Sequence, residues 1–479
     1  METKSHISFI LDNKVETIDF NKSNYSPTTT LLNYLRSLPN HKGVKEGCAE
    51  GDCGACTVTI AELENGEIIY KAYDSCLIFL PMIHGKQIIT VENLGDSKNL
   101  HPVQHFMVEK DGSQCGYCTP GFVMSMFALY KNEQQPSRET VNDYLTGNLC
   151  RCTGYRPIID ATFAATKMYQ KDQFDADTDI TIKLLNSIDR TTSIKIETSE
   201  QTYVKPFQLK EALEYLNQHP DALIVSGSTD VALRVTKKKE ILPHILDISA
   251  ISELNYMNEN EQFYRIGSGV ALDEIWQKLG IELPALAEIL KVFGSKQIRN
   301  IAKIGGNIGS ASPIGDTLPV LMAYKAIVVL QSLKNKREIP LEDFIIGYRK
   351  TQRNDNELIV EIKIPKHNKE IVKSYKISKR KDLDISTVSV AFAIKIDQNI
   401  IQDISIYFGG MAAQTKRAIE TEKALTGKTF SEESFELAAE KITEDFKPLS
   451  DARSSAEGRI IMAKNLLLKV WSDLTTNNV

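Results

Sequence analysis

The chain has 479 residues, more than a single hydrophobic core accommodates, so three or four domains are expected. Its formal net charge of −5 argues against a nucleic-acid or anionic-membrane surface. Hydrophobic residues make up 42% of the chain, and no apolar run approaches the roughly 18 residues of a membrane span. The N-terminal residues lack the apolar segment of a secretory signal, which predicts a cytoplasmic protein.

The first 90 residues are predicted to form short strands and turns around one helix. HISFILDN and KVETIDF read as the two arms of a hairpin, and TTTLLNYLRS has helical spacing with threonines available as N-cap. After a glycine-rich loop, two further strands meet at the turn Asn65-Gly66, and QIITVE is the last strand. This order predicts a β-grasp ferredoxin domain over residues 1–90.

All eight cysteines lie in the first third of the chain and fall into two quartets. The first quartet has C-x4-C-x2-C spacing followed by one distant cysteine, which is the spacing of plant-type [2Fe–2S] ferredoxins. Glycines interleave with these ligands and let a loop wrap a cluster. Structural zinc is the alternative, whereas disulfides suit a reducing cytoplasm poorly. The predicted ligands are Cys48, Cys53, Cys56 and Cys76.

Residues 91–170 change to helical periodicity. The second quartet lies at helix ends, with Cys115-x2-Cys118 before the second helix and Cys150-x-Cys152 after the third. A C-x-C pair is tight for tetrahedral zinc but suits the two irons of a [2Fe–2S] cluster, with zinc as the alternative. The sequence therefore predicts a compact four-helix [2Fe–2S] domain. Its predicted helices are His101–Lys110, Gly121–Lys131, Arg138–Thr146 and Ile158–Tyr169.

The remaining two thirds of the chain divide into three parts. Residues 171–201 are polar with weak periodicity and are predicted to be a linker. Residues 202–368 have an α/β pattern, in which the buried strand ALIV opens into SGSTD and a second glycine-rich stretch, IGGN, follows. Neither stretch matches the Rossmann or Walker pattern, so a dinucleotide here would bind in a site of another type. Residues 369–479 are predicted as a smaller α+β region with helices at 436–442 and 455–470.

The phrases GCAEGDCGAC, QCGYCTPG and GNLCRCTGYRP match the iron–sulfur region of xanthine dehydrogenases and aldehyde oxidases almost letter for letter. Over roughly residues 1–165 the chain thus resembles the molybdenum hydroxylase family. The resemblance implies a [2Fe–2S] cluster on each quartet. It also implies a non-Rossmann FAD domain of the PCMH/vanillyl-alcohol-oxidase-like type at 202–368 and a flavin-associated domain at 369–479. The expected fold class is multidomain α+β.

The resemblance also implies roles for individual residues. Gln114 would lie between the second cluster and the pterin of a molybdenum cofactor, and Phe293 and Lys376 would contact the flavin. The centre of the first flavin loop, SGST, differs from many relatives, but serine is small enough to keep the close backbone approach. No catalytic residue is assigned. The implied flavin-binding residues are Leu223, Ile224, Val225, Ser226, Gly227, Ser228, Thr229, Asp230, Phe293, Ile304, Gly305, Gly306, Asn307, Asp316 and Lys376.

The function implied by the resemblance is electron transfer. Relatives that act as one chain continue into a longer molybdenum-binding region, so we expect a separate large molybdopterin-binding subunit in a heterotetramer or higher hetero-oligomer. The leading prediction is the small subunit of a bacterial xanthine dehydrogenase, which oxidises hypoxanthine and xanthine to urate and reduces NAD+, with oxygen open as acceptor. A subunit of an aldehyde- or N-heterocycle-oxidising enzyme is the rival prediction. A zinc-stabilised flavin-binding protein without electron transfer is the alternative from another class.

Overall fold

The computed structural model describes residues 2–366 and 370–476. The chain divides into two compact units, Met1–Ser252 with Ser295–Ala302, and Glu253–Gly294 with Lys303–Val479. The boundary at Ser252 lies inside the predicted FAD domain. Within the described residues, no helix combines the length and the apolarity needed to cross a bilayer.

The first unit begins with the predicted β-grasp arrangement. Its strands are β1 (Thr3–Lys4), β2 (His6–Leu11), β3 (Lys14–Asp19), β4 (Thr57–Glu64), β5 (Glu67–Asp74) and β6 (Gln87–Ile89). Strands β2 to β6 form one sheet in the order β3-β2-β6-β4-β5. Helix α1 (Leu31–Ser37) buries its leucines in the core under this sheet, and the Thr30 side chain caps it by accepting from Asn33 N at 3.2 Å.

The four predicted helices of the next region are present with slightly shifted ends. They are α2 (Pro102–Glu109), α3 (Thr119–Asn132), α4 (Arg138–Leu145) and α5 (Arg156–Lys167). Ser137 caps α4, accepting from Thr140 N at 3.0 Å. Helix α3 is buried from Gly121 to Tyr130 and is the centre of this domain. A helix that is apolar on all sides belongs in such a core.

The prediction of a linker at residues 171–201 is wrong. The segment contains α6 (Gln173–Ala176), α7 (Thr178–Ser187) and β7 (Ser193–Glu197). Its polar residues cap and anchor these elements, because Asp172 accepts from the Phe174 and Asp175 N–H groups and pairs with Lys131 at 2.9 Å. Linker-like composition and helix-capping composition share the same residue types.

A second sheet of the first unit follows. Its elements are β8 (Thr202–Lys205), α8 (Leu209–Gln218), β9 (Leu223–Val225), α9 (Ala232–Thr236) and β10 (His244–Asp247). The sheet order is β1-β7-β8-β10-β9, and β10 runs parallel to both β8 and β9. The carboxyl end of β9 leads into Ser226, which is the end of a parallel strand where α/β folds bind ligands.

The second unit begins with an antiparallel sheet in the order β11-β12-β17-β13-β14 and a separate β15–β16 hairpin. These strands are β11 (Met257–Glu259), β12 (Phe263–Gly267), β13 (Ile327–Gln331), β14 (Lys336–Pro340), β15 (Ile345–Gly347), β16 (Lys350–Thr351) and β17 (Leu358–Pro365). The helices along this stretch are α10 (Leu272–Leu279), α11 (Pro284–Lys291), α12 (Lys296–Ile301), α13 (Ile304–Gly309), α14 (Thr317–Ala323) and α15 (Leu341–Phe344). Helix α12 belongs to the first unit.

The C-terminal part of the second unit is the predicted α+β region. Strands β18 (Ile371–Ile377), β19 (Val388–Asp397), β20 (Ile400–Gly409) and β21 (Lys416–Arg417) form an antiparallel sheet in sequence order. Four helices accompany it: α16 (Ile419–Leu425), α17 (Glu432–Ala439), α18 (Ile442–Asp445) and α19 (Ala456–Thr476). The predicted single helix at 436–442 is divided between α17 and α18. Helix α19 buries Leu466, Leu467 and Val470 in the shared core.

Candidate cofactor sites

The first cysteine quartet lies mainly in the loop between α1 and β4, where backbone N–H groups point at sulfur. The Glu50 and Asp52 N–H groups donate to Cys48 Sγ at 3.4 and 3.3 Å. The Cys48 N–H group donates to Cys53 Sγ at 3.3 Å. Donors fixed around sulfur stabilise its anionic form, and they also tune a metal that the sulfur binds.

The thiols of the first quartet contact one another in two pairs, Cys48 with Cys53 and Cys56 with Cys76. The hydrogen bond from the Cys53 thiol holds the pKa of Cys48 well below its usual value, and the same contact together with burial raises the pKa of Cys53. Two pairs suit two irons that share four thiolates, whereas one tetrahedral zinc would hold four equivalent sulfurs. The residues present fit a [2Fe–2S] cluster.

A buried carboxylate accompanies this quartet. Asp74 is 2% exposed, and the Cys56 thiol donates to its Oδ1 at 3.8 Å. Burial raises the pKa of Asp74 well above its usual range. Its Oδ2 has no hydrogen-bond partner among the residues that the structure describes. The sequence carried no signal for this group, since Asp74 reads as the polar end of a strand.

The second quartet is more open to solvent. Cys115 and Cys152 are exposed, with their sulfurs 3.5 Å apart, and the half-buried Cys118 and Cys150 form the other pair. Burial raises the pKa of Cys118 to about 12. The pairwise arrangement again fits two irons. Gln114, next to the first of these cysteines, is exposed.

Two hydrogen bonds join the loops that carry the two quartets. The Leu149 N–H group donates to the Cys53 carbonyl at 3.0 Å, and Leu149 is the residue before Cys150. Alongside it, Asn148 Nδ2 donates to the Gly54 carbonyl at 3.0 Å. The two ligand loops are thus hydrogen-bonded to each other. A short path of backbone bonds and one hydrogen bond connects Cys53 with Cys150.

The first predicted flavin loop leaves β9 in a buried, closely packed conformation. The Ser226 hydroxyl is buried and has no hydrogen-bond partner among the described residues. A Cβ on Gly227 would lie 2.1 Å from the Ile301 carbonyl oxygen. Ser228 has a φ of +57°, and its hydroxyl donates to the Leu77 carbonyl. The remaining predicted residues of this loop are Leu223, Ile224 and Val225 in β9, the half-buried Thr229 and the exposed Asp230.

This loop and its neighbours contact the first quartet within the same unit. Leu77, which accepts from the flavin loop, directly follows Cys76. Lys237 Nζ donates to the Cys48 carbonyl at 3.0 Å and lies 3.2 Å from the Glu50 carboxylate. A Cβ on Gly51 would meet Ile298 Cδ1 of α12 at 2.8 Å. The first quartet is therefore packed against the segment predicted to bind the flavin.

The prediction of a second flavin loop at Ile304–Asn307 is wrong in its secondary structure, because these residues lie in helix α13. Gly305 N donates to the Ser268 carbonyl at 2.9 Å, and a Cβ on Gly305 would come within 2.5 Å of Ser268 Cβ. Glycine permits this approach, and the packing outweighs its low helix propensity. Gly306 is exposed, and Asn307 accepts a hydrogen bond from the Thr317 hydroxyl.

Two of the predicted flavin residues, Asp316 and Lys376, are in contact in the second unit. Lys376 Nζ lies 2.8 Å from the Asp316 carboxylate and donates to the Val292 carbonyl at 2.9 Å. Val292 precedes the half-buried Phe293. The Ser386 hydroxyl donates to the other oxygen of Asp316. Asp316 and Lys376 are both buried, so each supplies the charge that compensates the other.

Three protein-family models match consecutive parts of the chain. They are the [2Fe-2S] binding domain at residues 90–163, the FAD binding domain in molybdopterin dehydrogenase at 195–367 and the CO dehydrogenase flavoprotein C-terminal domain at 373–474. The three occur together and in this order. The chain belongs to the molybdenum hydroxylase family.

Characterised relatives place the chain among these hydroxylases along most of its length. It is 31% identical to the xanthine dehydrogenase of Emericella nidulans over 85% of this chain and 34% of that protein. It is 32% identical to the xanthine dehydrogenase/oxidase of Mus musculus over 90% of this chain and 36% of that protein. The chain spans about a third of the length of the curated relatives it matches.

Solved structures of molybdenum hydroxylases share the fold of part of the chain. A carbon monoxide dehydrogenase chain from Hydrogenophaga pseudoflava superposes with a TM-score of 0.54 at 26% identity, covering 57% of this chain and 96% of that one. The quinoline 2-oxidoreductase of Pseudomonas putida 86 gives a TM-score of 0.54 at 22% identity, covering 58% and 98%. The second likeness concerns the fold alone.

Several residues that contact the candidate cofactor sites cannot be recognised from the sequence alone. Asn148 lies in GNLCRCTGYRP, one of the stretches that match the family, yet only the structure shows that it bridges the cysteine loops. Gln297 donates from α12 to Asn148 Oδ1 at 3.0 Å and to the Ser125 hydroxyl at 2.9 Å. Lys237 reads as part of a surface lysine run. Their partners lie far away in sequence, and no short-range pattern encodes such pairs.

Replacing Gly227 by alanine is expected to empty the flavin site. The added methyl group meets the Ile301 carbonyl at 2.1 Å, a backbone atom that cannot rotate away, so the loop must shift. The measurement is FAD released by heat per chain, compared with a Gly347→Ala control, where the nearest atom to the new Cβ is 3.7 Å away. Full flavin occupancy in both variants would show that the loop position does not matter for FAD binding.

Proposed function

We propose that this chain is the electron-transfer subunit of a bacterial-type xanthine dehydrogenase. Its two cysteine quartets would hold one [2Fe–2S] cluster each, and the flavin-binding residues predicted from the sequence would hold FAD. When bound, the clusters carry single electrons from a molybdenum cofactor in a partner subunit, and the flavin collects two and can pass a hydride to NAD+. Similarity to xanthine dehydrogenases over most of this chain supports the proposal.

The observation that carries the proposal is the difference in exposure between the two quartets, together with the contact between the more buried quartet and the predicted flavin loop. The second quartet has two exposed cysteines, Cys115 and Cys152. The first has two buried ones, Cys56 and Cys76, and contacts the Ser226 loop through Leu77. The second quartet would take electrons at the surface that faces the partner. The first quartet would pass them to the flavin held by the Ser226 loop.

The chain's own residues set the geometry of this relay. The Leu149 to Cys53 hydrogen bond and the Asn148 side chain fix the two ligand loops at one separation. The Ser228 hydroxyl fixes the flavin loop to the residue after Cys76. Burial of Cys56 and Cys76 excludes water from their sulfurs, and the N–H donors on Cys48 stabilise the negative charge of its sulfur.

The partner is a large molybdopterin-binding subunit in this proposal, assembled in the cytoplasm into a heterotetramer or higher hetero-oligomer. The exposed Gln114 and the exposed cysteines beside it form the surface to which that subunit would bind. Gln114 would then lie between the cluster and the pterin.

A second candidate function is the equivalent subunit of another molybdenum hydroxylase, acting on aldehydes or N-heterocycles. The likeness to a carbon monoxide dehydrogenase structure favours keeping this candidate. The substrate would be selected in the partner subunit, so the two candidates differ in substrate and share the relay. Zinc in the quartets without electron transfer is the alternative from a different class.

The test begins with the chain purified anaerobically together with its partner. We expect about four irons and four acid-labile sulfides per copy of this chain, together with one FAD, in a reddish-brown protein that dithionite bleaches. Xanthine should bleach it, and NAD+ should restore the colour. Bleaching by an aldehyde or an N-heterocycle but not by xanthine would establish the second candidate. Zinc in place of iron, or no flavin, would overturn the relay.

A further inference from the structure

A histidine–aspartate cluster lies in the first unit among residues that the relay does not use. It consists of His219, Asp221 and His244, and one ligand atom from each lies within 4.8 Å of the other two. His219 directly follows α8, and His244 is the first residue of β10. Because β9 and β10 pair in parallel, with Leu223 opposite Ile245, the fold itself brings the three side chains together.

Part of this cluster already has the spacing of a metal site. His244 Nδ1 lies 3.2 Å from Asp221 Oδ2. A tetrahedral zinc ion with bonds of about 2.0–2.1 Å holds its ligand atoms about 3.3 Å apart. Imidazole nitrogens with one carboxylate are a common ligand set for zinc.

Tyr215 orients the cluster from α8. Its hydroxyl bonds to His244 Nε2, and its ring stacks on His219 with centroids 4.5 Å apart. His244 Nδ1–H donates to the Asp221 carboxylate, which can only accept. A metal ion bound at Nδ1 would replace that proton, and the neutral imidazole would then carry its proton on Nε2, which faces the Tyr215 hydroxyl oxygen. Metal-binding histidines are oriented by this kind of partner on the second nitrogen.

We propose that His219, Asp221 and His244 bind a divalent transition-metal ion of the zinc type, with Tyr215 as a positioning residue. Water would complete the tetrahedron, because the Asp221 side chain is 74% exposed. The site lies at the amino-terminal ends of β9 and β10, whereas the Ser226 loop leaves the carboxyl end of β9. The ion would therefore join the end of α8 to two strands of the sheet and stabilise the strand that carries the flavin loop.

The test measures zinc bound to the full-length, cofactor-loaded chain, prepared without a polyhistidine tag. The protein is dialysed against micromolar Zn²⁺, and zinc and iron are measured together by mass spectrometry. We expect one zinc per wild-type chain and a zinc affinity at least tenfold lower for His244→Ala and for Asp221→Asn. Tyr215→Phe keeps the stacked ring and should weaken binding by about 10- to 100-fold. His105→Ala is the matched control, since it removes an exposed histidine that lies 3.4 Å from a single carboxylate.

Two outcomes would overturn this proposal. One is equal zinc content in the wild type and in Asp221→Asn at equal iron content, since substitution of so exposed a residue leaves the fold intact. The other is zinc that rises only as iron falls, which would assign the metal to vacant cysteine quartets. If the histidine variant loses its iron and flavin through misfolding, the Asp221→Asn and Tyr215→Phe results still decide the question.

Discussion

The Cys118→Ser variant is expected to keep about two of its four irons and to lose all substrate-driven bleaching of the flavin. Cys118 is the residue before α3, and its thiol pairs with Cys150 in the second quartet. A serine hydroxyl is a poor replacement for a thiolate on iron, so the cluster at the second quartet should not assemble. The measurement is iron and sulfide content, followed by anaerobic reduction with substrate in the assembled complex.

The matched variant is Cys76→Ser, which removes a predicted ligand of the first quartet. It should also keep about two irons and lose flavin bleaching. In contrast to Cys118→Ser, it should leave one cluster that substrate still reduces, visible as a spectroscopic signal from the second quartet. The pair of variants therefore reports the order of the relay and not only its integrity. Substrate-driven flavin reduction at the wild-type rate in Cys118→Ser would contradict that order.

Reduction of the flavin by NADH supplies the control for folding in both variants. Hydride transfer from NADH needs the flavin site alone, so it should persist where substrate-driven reduction is lost. Loss of both activities, together with loss of FAD, would mean that the substitution disrupts the first unit as a whole. Partial iron content with full FAD is the result that separates the two cases.

The fold class was predictable because the strongest signals are local. Cysteine spacing, interleaved glycines and the turn at Asn65-Gly66 each constrain a few neighbouring residues, and the observed β5 pairs with β4 through that turn. The helices of the second domain have clear periodicity and a serine cap, and they form where predicted with ends shifted by a few residues. The ligand roles of the cysteines remain predictions that the pairwise sulfur contacts support.

The errors in the predictions arise where long-range packing decides local structure. The stretch from Ile304 reads as a glycine-rich flavin loop, but Ser268 packs against Gly305 and a helix forms. Residues 171–201 read as a linker, but Asp172 is held by Lys131 of α3 and by His101, which precedes α2. In both cases the deciding partner is distant in sequence, and composition alone indicates the opposite structure.

Helix α12 shows the same principle and leads to the second large expected effect. In the sequence around it, KVFGSKQIRN, the resemblance implies only that Phe293 contacts the flavin, yet Arg299 is fully buried. Its Nη2 donates to the Asp143 carboxylate of α4 at 2.5 Å, and Lys296 lies 3.8 Å from the same carboxylate. This ion pair attaches α12 to α4, the helix that precedes Cys150 and Cys152 of the second quartet.

Replacing Arg299 by methionine is expected to lower the free energy of unfolding of the first unit by about 3–5 kcal/mol, because it leaves a largely buried carboxylate without its main partner. For a unit of this size the thermal midpoint should fall by roughly 6–20 °C, measured by calorimetry on the cofactor-loaded chain. The matched control is Arg234→Met, which removes a pair of similar length, 2.6 Å, at a more exposed site.

The control pair should contribute about 0–1 kcal/mol, because water screens exposed charges and long side chains lose entropy on pairing. Equal midpoints for the two variants would contradict the assignment of Arg299 as a buried anchor. A selective fall for Arg299→Met, with iron lost before FAD on heating, would show that α12 stabilises the cysteine loops through α4. Stability of the electron-transfer site would then depend on a helix that follows the first flavin loop in sequence and lies outside both cysteine regions.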